Sequence, residues 1–325
     1  MNASRFSLLV LLALSGLILT TEAQSFDCAK AATPEEMAIC SDSDLAAQDS
    51  EMTAVYKLAL GQVSDEGKRW LTQSQRSWLN HKRNRVHPDV KTLKEVYRYR
   101  IDHLRRTLET VGPFKIEWIS MFDSIPPEEQ QEDAADEDLT NPYGTVDYTF
   151  PRIEAPVSPE TSRWNRMVEN RVHTSVGEPS KDVYSSAEAH ITYAAKTGIS
   201  IFVDGSEMDR GAAHPNHGGE GYTVLLASGK EMTATDLFNP QSAWKNFLKR
   251  KTKAEAVQRE WQSYDGASGI EADSSRWTLT KKGLVIHFAP YEVTYYAAGP
   301  QEVLIPWPEL KPYLNPTLPF SVPVQ

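Results

Sequence analysis

Cys28 and Cys40 are the only cysteines in this 325-residue chain, and they stand twelve positions apart just behind a segment that reads as an export signal. Arg5 is the sole charge before the apolar run from Phe6 to Leu19. Thr21-Glu22-Ala23 then places small residues where a signal peptidase cuts, so residues 1–23 are read as a signal peptide. The run is too short and wrongly flanked for a spanning helix, and no later stretch is apolar enough to cross a bilayer. Ser25-Phe26-Asp27 is not a lipoprotein box, so no lipid anchor is expected at Cys28. The mature chain is therefore expected to be periplasmic or secreted, where an even pair of cysteines bonds. A bridge over so short a loop stabilises by roughly 3 kcal/mol in the chain-entropy model. The competing use of the pair, in a metal site, has only half a ligand set and no nearby histidine.

Charge divides the mature chain into two parts. Residues 25–111 are nearly balanced, with 14 Lys and Arg against 13 Asp and Glu; from Gly112 onward the count is 19 against 30. Eight of those acids fall between Asp123 and Asp138, with no base among them, beside Pro126-Pro127 and Gln130-Gln131. This reads as a solvated acidic excursion. Such a balance argues against nucleic acid, which is bound by cations neutralising phosphates. It suits a basic protein partner, because complementary fields steer encounter; solubility alone is the plainer explanation.

The expected architecture is α+β. Residues 24–111 read as a three-helix domain with one disulfide. Asp44 or Ser43 caps a helix bearing Leu45, Met52, Val55 and Tyr56; Ser64 caps a second with Trp70, Leu71 and Trp78; a third carries Leu93, Val96, Tyr97, Ile101 and Leu104. Residues 112–144 read as an acidic linker with an initial strand. Residues 145–315 read as an antiparallel-sheet domain with packed helices, and residues 316–325 as a tail. Within the sheet domain, Ser158 caps a helix from Glu160, Val183 to Ala195 reads as a strand, a helix runs from Ser242 to Tyr264, and Trp277 to Phe288 forms a hairpin turning at Lys282-Gly283.

The first domain resembles the N-terminal domain of LprI-type lysozyme inhibitors over about residues 26–108. The resemblance rests on Cys28, Ile39-Cys40, Asp44-Leu45, Asp49, Tyr56, Gln75-Arg76-Ser77-Trp78-Leu79 and the run Tyr97 to Leu104. It implies a helical, exported domain in a family named for a member that inhibits lysozyme. The family usually carries a second cysteine pair; here those places read Arg85-Val86-His87 and Thr92-Leu93, which leaves the join between the second and third helices less restrained.

The second domain resembles the RsiV-like module of extracytoplasmic anti-sigma factors and PdaC-type wall proteins. The matching words are Arg210 to Pro215, Ser228-Gly229-Lys230, Asp236-Leu237-Phe238, Leu279 to Leu284, Phe288 to Val293, and Tyr296-Ala297-Ala298-Gly299-Pro300 followed by Val303 to Trp307. Members of that module include a sensor that binds lysozyme, so the two resemblances imply the same partner. No catalytic residue is expected: no Gly-x-Ser-x-Gly elbow occurs, and the deacetylase domain of the PdaC type is absent. His214, His217 and Glu220 could ligate zinc in a metal-dependent hydrolase, but Pro215 and Gly218-Gly219 preclude a helical motif, and no metal or cofactor is expected. The candidate partner-binding residues are Glu128, Glu129, Asp133 and Asp136 in the acidic excursion, His214, His217 and Glu220 in a tight turn, and Tyr291, Tyr295 and Tyr296 as aromatic anchors. The plain readings of these are a solvated tail, a hairpin turn and sheet-packing rings. The expected function is binding and inhibition of lysozyme or a related muramidase. Binding of peptidoglycan fragments without inhibition is the alternative.

Overall fold

The structure, a computed structural model, describes residues 26–83, 89–126, 143–319 and 322. Its helical part holds one helix more than periodicity predicts. Thr33 caps α1 (Pro34–Ser41) in a reciprocal box with Glu36, and Pro34 supplies a preset φ at the first helical position. The Cys28–Cys40 disulfide ties the preceding turn to the end of this helix, with the Cα atoms 5.7 Å apart. Asp42, rather than the expected Ser43 or Asp44, caps α2 (Ser43–Leu60), accepting from the Asp44 and Leu45 amides. Ser64 caps α3 (Asp65–Ser77) as expected, and a π-helical turn (Trp78–Lys82) continues it. Asp89 caps α4 (Val90–Arg105). Leu45, Met52, Leu71, Trp78, Leu93, Tyr97 and Ile101 fill the space between these helices. Trp78 packs edge-on to Tyr97, whose hydroxyl donates to the buried Asp49 carboxylate at 3.0 Å.

Seven strands come next, in simple spatial order: β1 (Leu108–Val111), β2 (Phe114–Ser124), β3 (Thr145–Ala155), β4 (Val183–Ala195), β5 (Gly198–Asp209), β6 (Asn216–Leu225) and β7 (Lys230–Glu231). All neighbours are antiparallel except β3 and β4, which pair in parallel because α5 (Pro159–Val176) carries the chain back between them. The sheet is thus mostly antiparallel, with one crossover that alternation alone does not reveal. Trp164, Val168, Val172 and Val176 of α5 cover one face, against Ile119, Phe150, Ala189, Ile201, Tyr222 and Val224.

The other face has two covers at its ends. At one end α3 lies along the edge of β2, where β1 has stopped pairing. Ser74 Oγ donates to the Ser120 carbonyl at 2.5 Å, Ser77 Oγ meets the Phe122 carbonyl and amide at 2.6 Å, and His81 contacts Ser124 Oγ at 2.7 Å. Side chains on one helical stripe therefore satisfy the ladder groups of an open edge and close it to further pairing. Across the same edge, on the face that carries α5, Arg152 is buried among Glu117 (2.9 Å), Glu66 of α3 (3.1 Å) and Glu154. At the other end a three-stranded sheet packs across β5 and β6: β8 (Trp277–Leu279), β9 (Gly283–Phe288) and β10 (Gln301–Pro306). Contact is close because β6 has no side chain at Gly221, where a Cβ would lie 2.0 Å from the Trp277 carbonyl oxygen, or at Gly219, where it would strike the Phe202 ring. The short helix α6 (Ala234–Leu237), α7 (Trp244–Gln258) and α8 (Trp307–Leu310) close the far side of the small sheet around Phe238, Trp244, Trp277 and Trp307. The helix expected to reach Tyr264 ends at Gln258, beyond which Glu260 takes a positive φ.

Candidate functional site

Where the small sheet meets β6, the chain builds an aromatic corner. The turn after β5 is confined to residues 210–215, so His217 and Glu220, expected in that turn, belong to β6. Side chains alternate across a strand, and residues three apart face opposite sides. His217 therefore lies on the face that carries the small sheet, and Glu220 on the face that carries α5. The three groups weighed as zinc ligands do not converge, and no cluster of three metal-binding side chains occurs among the described residues.

His214 and His217 instead converge on tyrosines from the loop between β9 and β10. The His214 ring stacks on Tyr296 with centroids 3.7 Å apart, and its Nε2 lies 3.2 Å from the Tyr291 hydroxyl. Tyr296 donates to the Pro215 carbonyl at 2.6 Å, and the His217 ring lies 6.2 Å from it. Tyr291 has φ +70°, a conformation that costs a tyrosine free energy and persists only where the surroundings impose it. The surrounding clasp is Glu292, whose carboxylate accepts from the Ala289 amide at 2.7 Å and pairs with Arg276 at 2.5 Å. Held this way, Tyr291 is 60% exposed, and Tyr295 beside it is 61% exposed. Large aromatics so presented on a braced turn suit a protein contact.

The corner borders an open groove along the uncovered middle of the sheet, between α4 and the small sheet. A segment of about 330 Å³ is lined by Thr149, Ser186, Glu188, Asp204, Ser206 and His217. Glu188 and Asp204 stand directly opposite each other on β4 and β5. Like charges so placed are unfavourable, and no Lys or Arg pairs with either among the described residues. The groove floor is thus acidic. Sequence reasoning misses it, along with Arg276 and Glu292. The available signal is the run of polar residues at alternate positions, Asp147 and Thr149 on β3, then Ser186, Glu188 and His190 on β4. Behind the corner, Phe202 stacks on His287 at 4.1 Å, and His287 bonds Thr278 and Glu302, holding the Glu302 carboxyl below its usual pKa. Glu128, Glu129, Asp133 and Asp136 lie outside the described residues.

Residues 28–111 match the family model described as lysozyme inhibitor LprI, and residues 235–308 match that described as protein of unknown function, DUF3298. The chain thus joins an LprI N-terminal domain to a DUF3298 C-terminal domain. Among solved structures it is similar to a DUF3298 family protein from Pseudomonas aeruginosa PAO1, at 17% identity over 63% of this chain and 96% of that one, with a TM-score of 0.47. A second similar structure is a DUF3298 family member from Bacteroides fragilis, at 16% identity over 64% and 96% of the respective chains, with a TM-score of 0.42. No curated protein matches the chain. Neither family description names an enzyme, and no helix among the described residues is long and apolar enough to cross a membrane.

Proposed function

We propose that this is an exported protein that binds lysozyme or a related muramidase and blocks its action on the wall. The match of residues 28–111 to the lysozyme inhibitor LprI model carries this reading. The molecule's chemistry supports it: a net charge of −10 suits a basic partner, and the acidic groove beside a braced pair of exposed tyrosines offers both steering and anchoring. In this reading Tyr291, Tyr295 and Tyr296, positioned by His214, His217 and the Glu292 clasp, form the contact. Glu128, Glu129, Asp133 and Asp136 add long-range attraction, and Glu220, on the opposite face of β6, has no part in the corner. The test is the rate of wall lysis by c-type and g-type lysozymes as mature protein, residues 24–325, is titrated in. Loss of lysis at stoichiometric protein, weakening with salt, is expected; undiminished lysis at all ratios would refute inhibition. Binding of purified muropeptides with none of lysozyme would favour the wall-fragment alternative.

A further inference from the structure

At the seam between the helices and the sheet lies a second cavity, of about 320 Å³, between α4, the π-helical turn and the strands β2 and β3. Trp78, Val96 and Phe122 give it apolar walls, and Tyr99, 63% exposed, stands at its rim. Arg100 forms another part of the wall and is only 2% exposed. Its Nε donates to Gln75 Oε1 and its Nη2 to Ser74 Oγ, both at 3.0 Å, while Nη1 has no hydrogen-bond partner. No carboxylate pairs with it among the described residues. Burial without a counter-ion pushes its pKa down to about 9. Burying a guanidinium so is unfavourable unless something neutralises it.

The other charges of the cavity do not neutralise it. Lys82 and Asp147 pair with each other at 2.5 Å and cancel. His103, bonded to Ser120 Oγ, is held neutral because burial and the neighbouring Arg100 push its pKa down to about 3. Asp147 keeps one buried oxygen, Oδ1, without a partner. In a protein of net charge −10, this cavity is therefore locally cationic, with an unmet donor, an unmet acceptor and a hydrophobic wall.

We propose that this cavity is a binding site for a small amphipathic carboxylate, its acid group drawn to Arg100 and its apolar body packed on Trp78, Val96 and Phe122. An amide N–H next to the acid, as at the C-terminus of a peptide, would in addition meet Asp147 Oδ1; a free organic acid would not. The site is separate from the aromatic corner and does not depend on lysozyme binding.

The experiment is calorimetric titration of the mature protein with 3-phenylpropionate, N-acetylphenylalanine and the uncharged 3-phenylpropionamide, with the contacts mapped by NMR. Both acids are expected to bind roughly ten-fold or more tighter than the amide, as a charge-assisted hydrogen bond implies, with shifts centred on Trp78, Val96 and Phe122. Tighter binding of N-acetylphenylalanine would point to a peptide terminus as the source, and tighter binding of 3-phenylpropionate to a free acid. Arg100→Met, which keeps the stem and removes the charge, is expected to abolish the preference for acid over amide. Should that variant not fold, the comparison of acid with amide on the unaltered protein decides. Equal affinity for acid and amide, no binding of any probe at millimolar concentration, or shifts mapping elsewhere would overturn the proposal.

Discussion

Single side chains set how the two halves meet and how the corner is held. Glu117 is fully buried in the seam, and burial raises its pKa to about 7 in spite of Arg152 beside it, with Glu154 and Glu66 adding to the rise. In the unfolded chain the same carboxyl ionises near its ordinary value of 4.5. Between about pH 4.5 and 7 the folded protein therefore holds more protons at this site than the unfolded one. Its contribution to stability falls as pH rises through that window, by at most about 1.4 kcal/mol per pH unit. Urea unfolding across this range should show the fall, and Glu117→Gln should flatten it; an unchanged slope in the variant would exclude Glu117 as the cause. Glu292 acts differently, by bracing the turn under Tyr291. Glu292→Ala removes a charge-assisted bond to Arg276 and the acceptor for the Ala289 amide, worth about 1.5–3 kcal/mol. The expected result is a lower melting temperature together with weaker lysozyme binding, and binding retained at full strength would show that the turn needs no clasp.

At the level of elements, much is legible in the sequence because it is local. The caps at Ser64 and Ser158, the strand from Val183 to Ala195 and the hairpin around Gly283 follow from cap chemistry and alternation within a few residues. Helix α1 is equally legible in Thr33-Pro34-Glu35-Glu36, a capping signal that the flanking cysteines and the proline mask by suggesting a loop. The groove is not legible, since it depends on which strands become neighbours. Glu188 faces Asp204 only because β4 and β5 pair in one register, and a sequence carries no short-range mark of that. The edge cover by α3 is non-local in the same way: Ser74 and Ser77 look like ordinary exposed serines of an amphipathic helix until β2 is set beside them. Replacing Ser74 by Ala strands the Ser120 carbonyl and frees Arg100 Nη2, and Ser77→Ala strands both ladder groups of Phe122. Each change is expected to cost about 1–3 kcal/mol of unfolding free energy. A loss within a few tenths would mean that water replaces the hydroxyl and the seam is wet. The disulfide belongs to this scale too. Cys28→Ser with Cys40→Ser should lower stability by roughly 3 kcal/mol, read as a lower denaturant midpoint that reducing agent no longer shifts.

Across the whole molecule, helices, large sheet and small sheet are joined by buried contacts, so the corner and groove sit on a braced frame. The acidic floor and the exposed tyrosines lie on the same side, between the covers that the helices and the small sheet provide. The proposed binding of a basic partner uses that arrangement, with attraction at a distance and then anchoring by braced rings. It is tested most directly by the affinity of the mature protein for c-type lysozyme, compared with that of the Tyr291→Ala, Tyr295→Ala double variant and of Tyr99→Ala, on α4 at the rim of the Arg100 cavity and away from the corner. Salt-sensitive binding by the unaltered protein is expected, with a loss of roughly thirty-fold or more in the double variant, as hot-spot aromatics imply, and little change in Tyr99→Ala. Lysozyme binding by the double variant as tight as by the unaltered protein would contradict it, as would no binding by the unaltered protein at low salt.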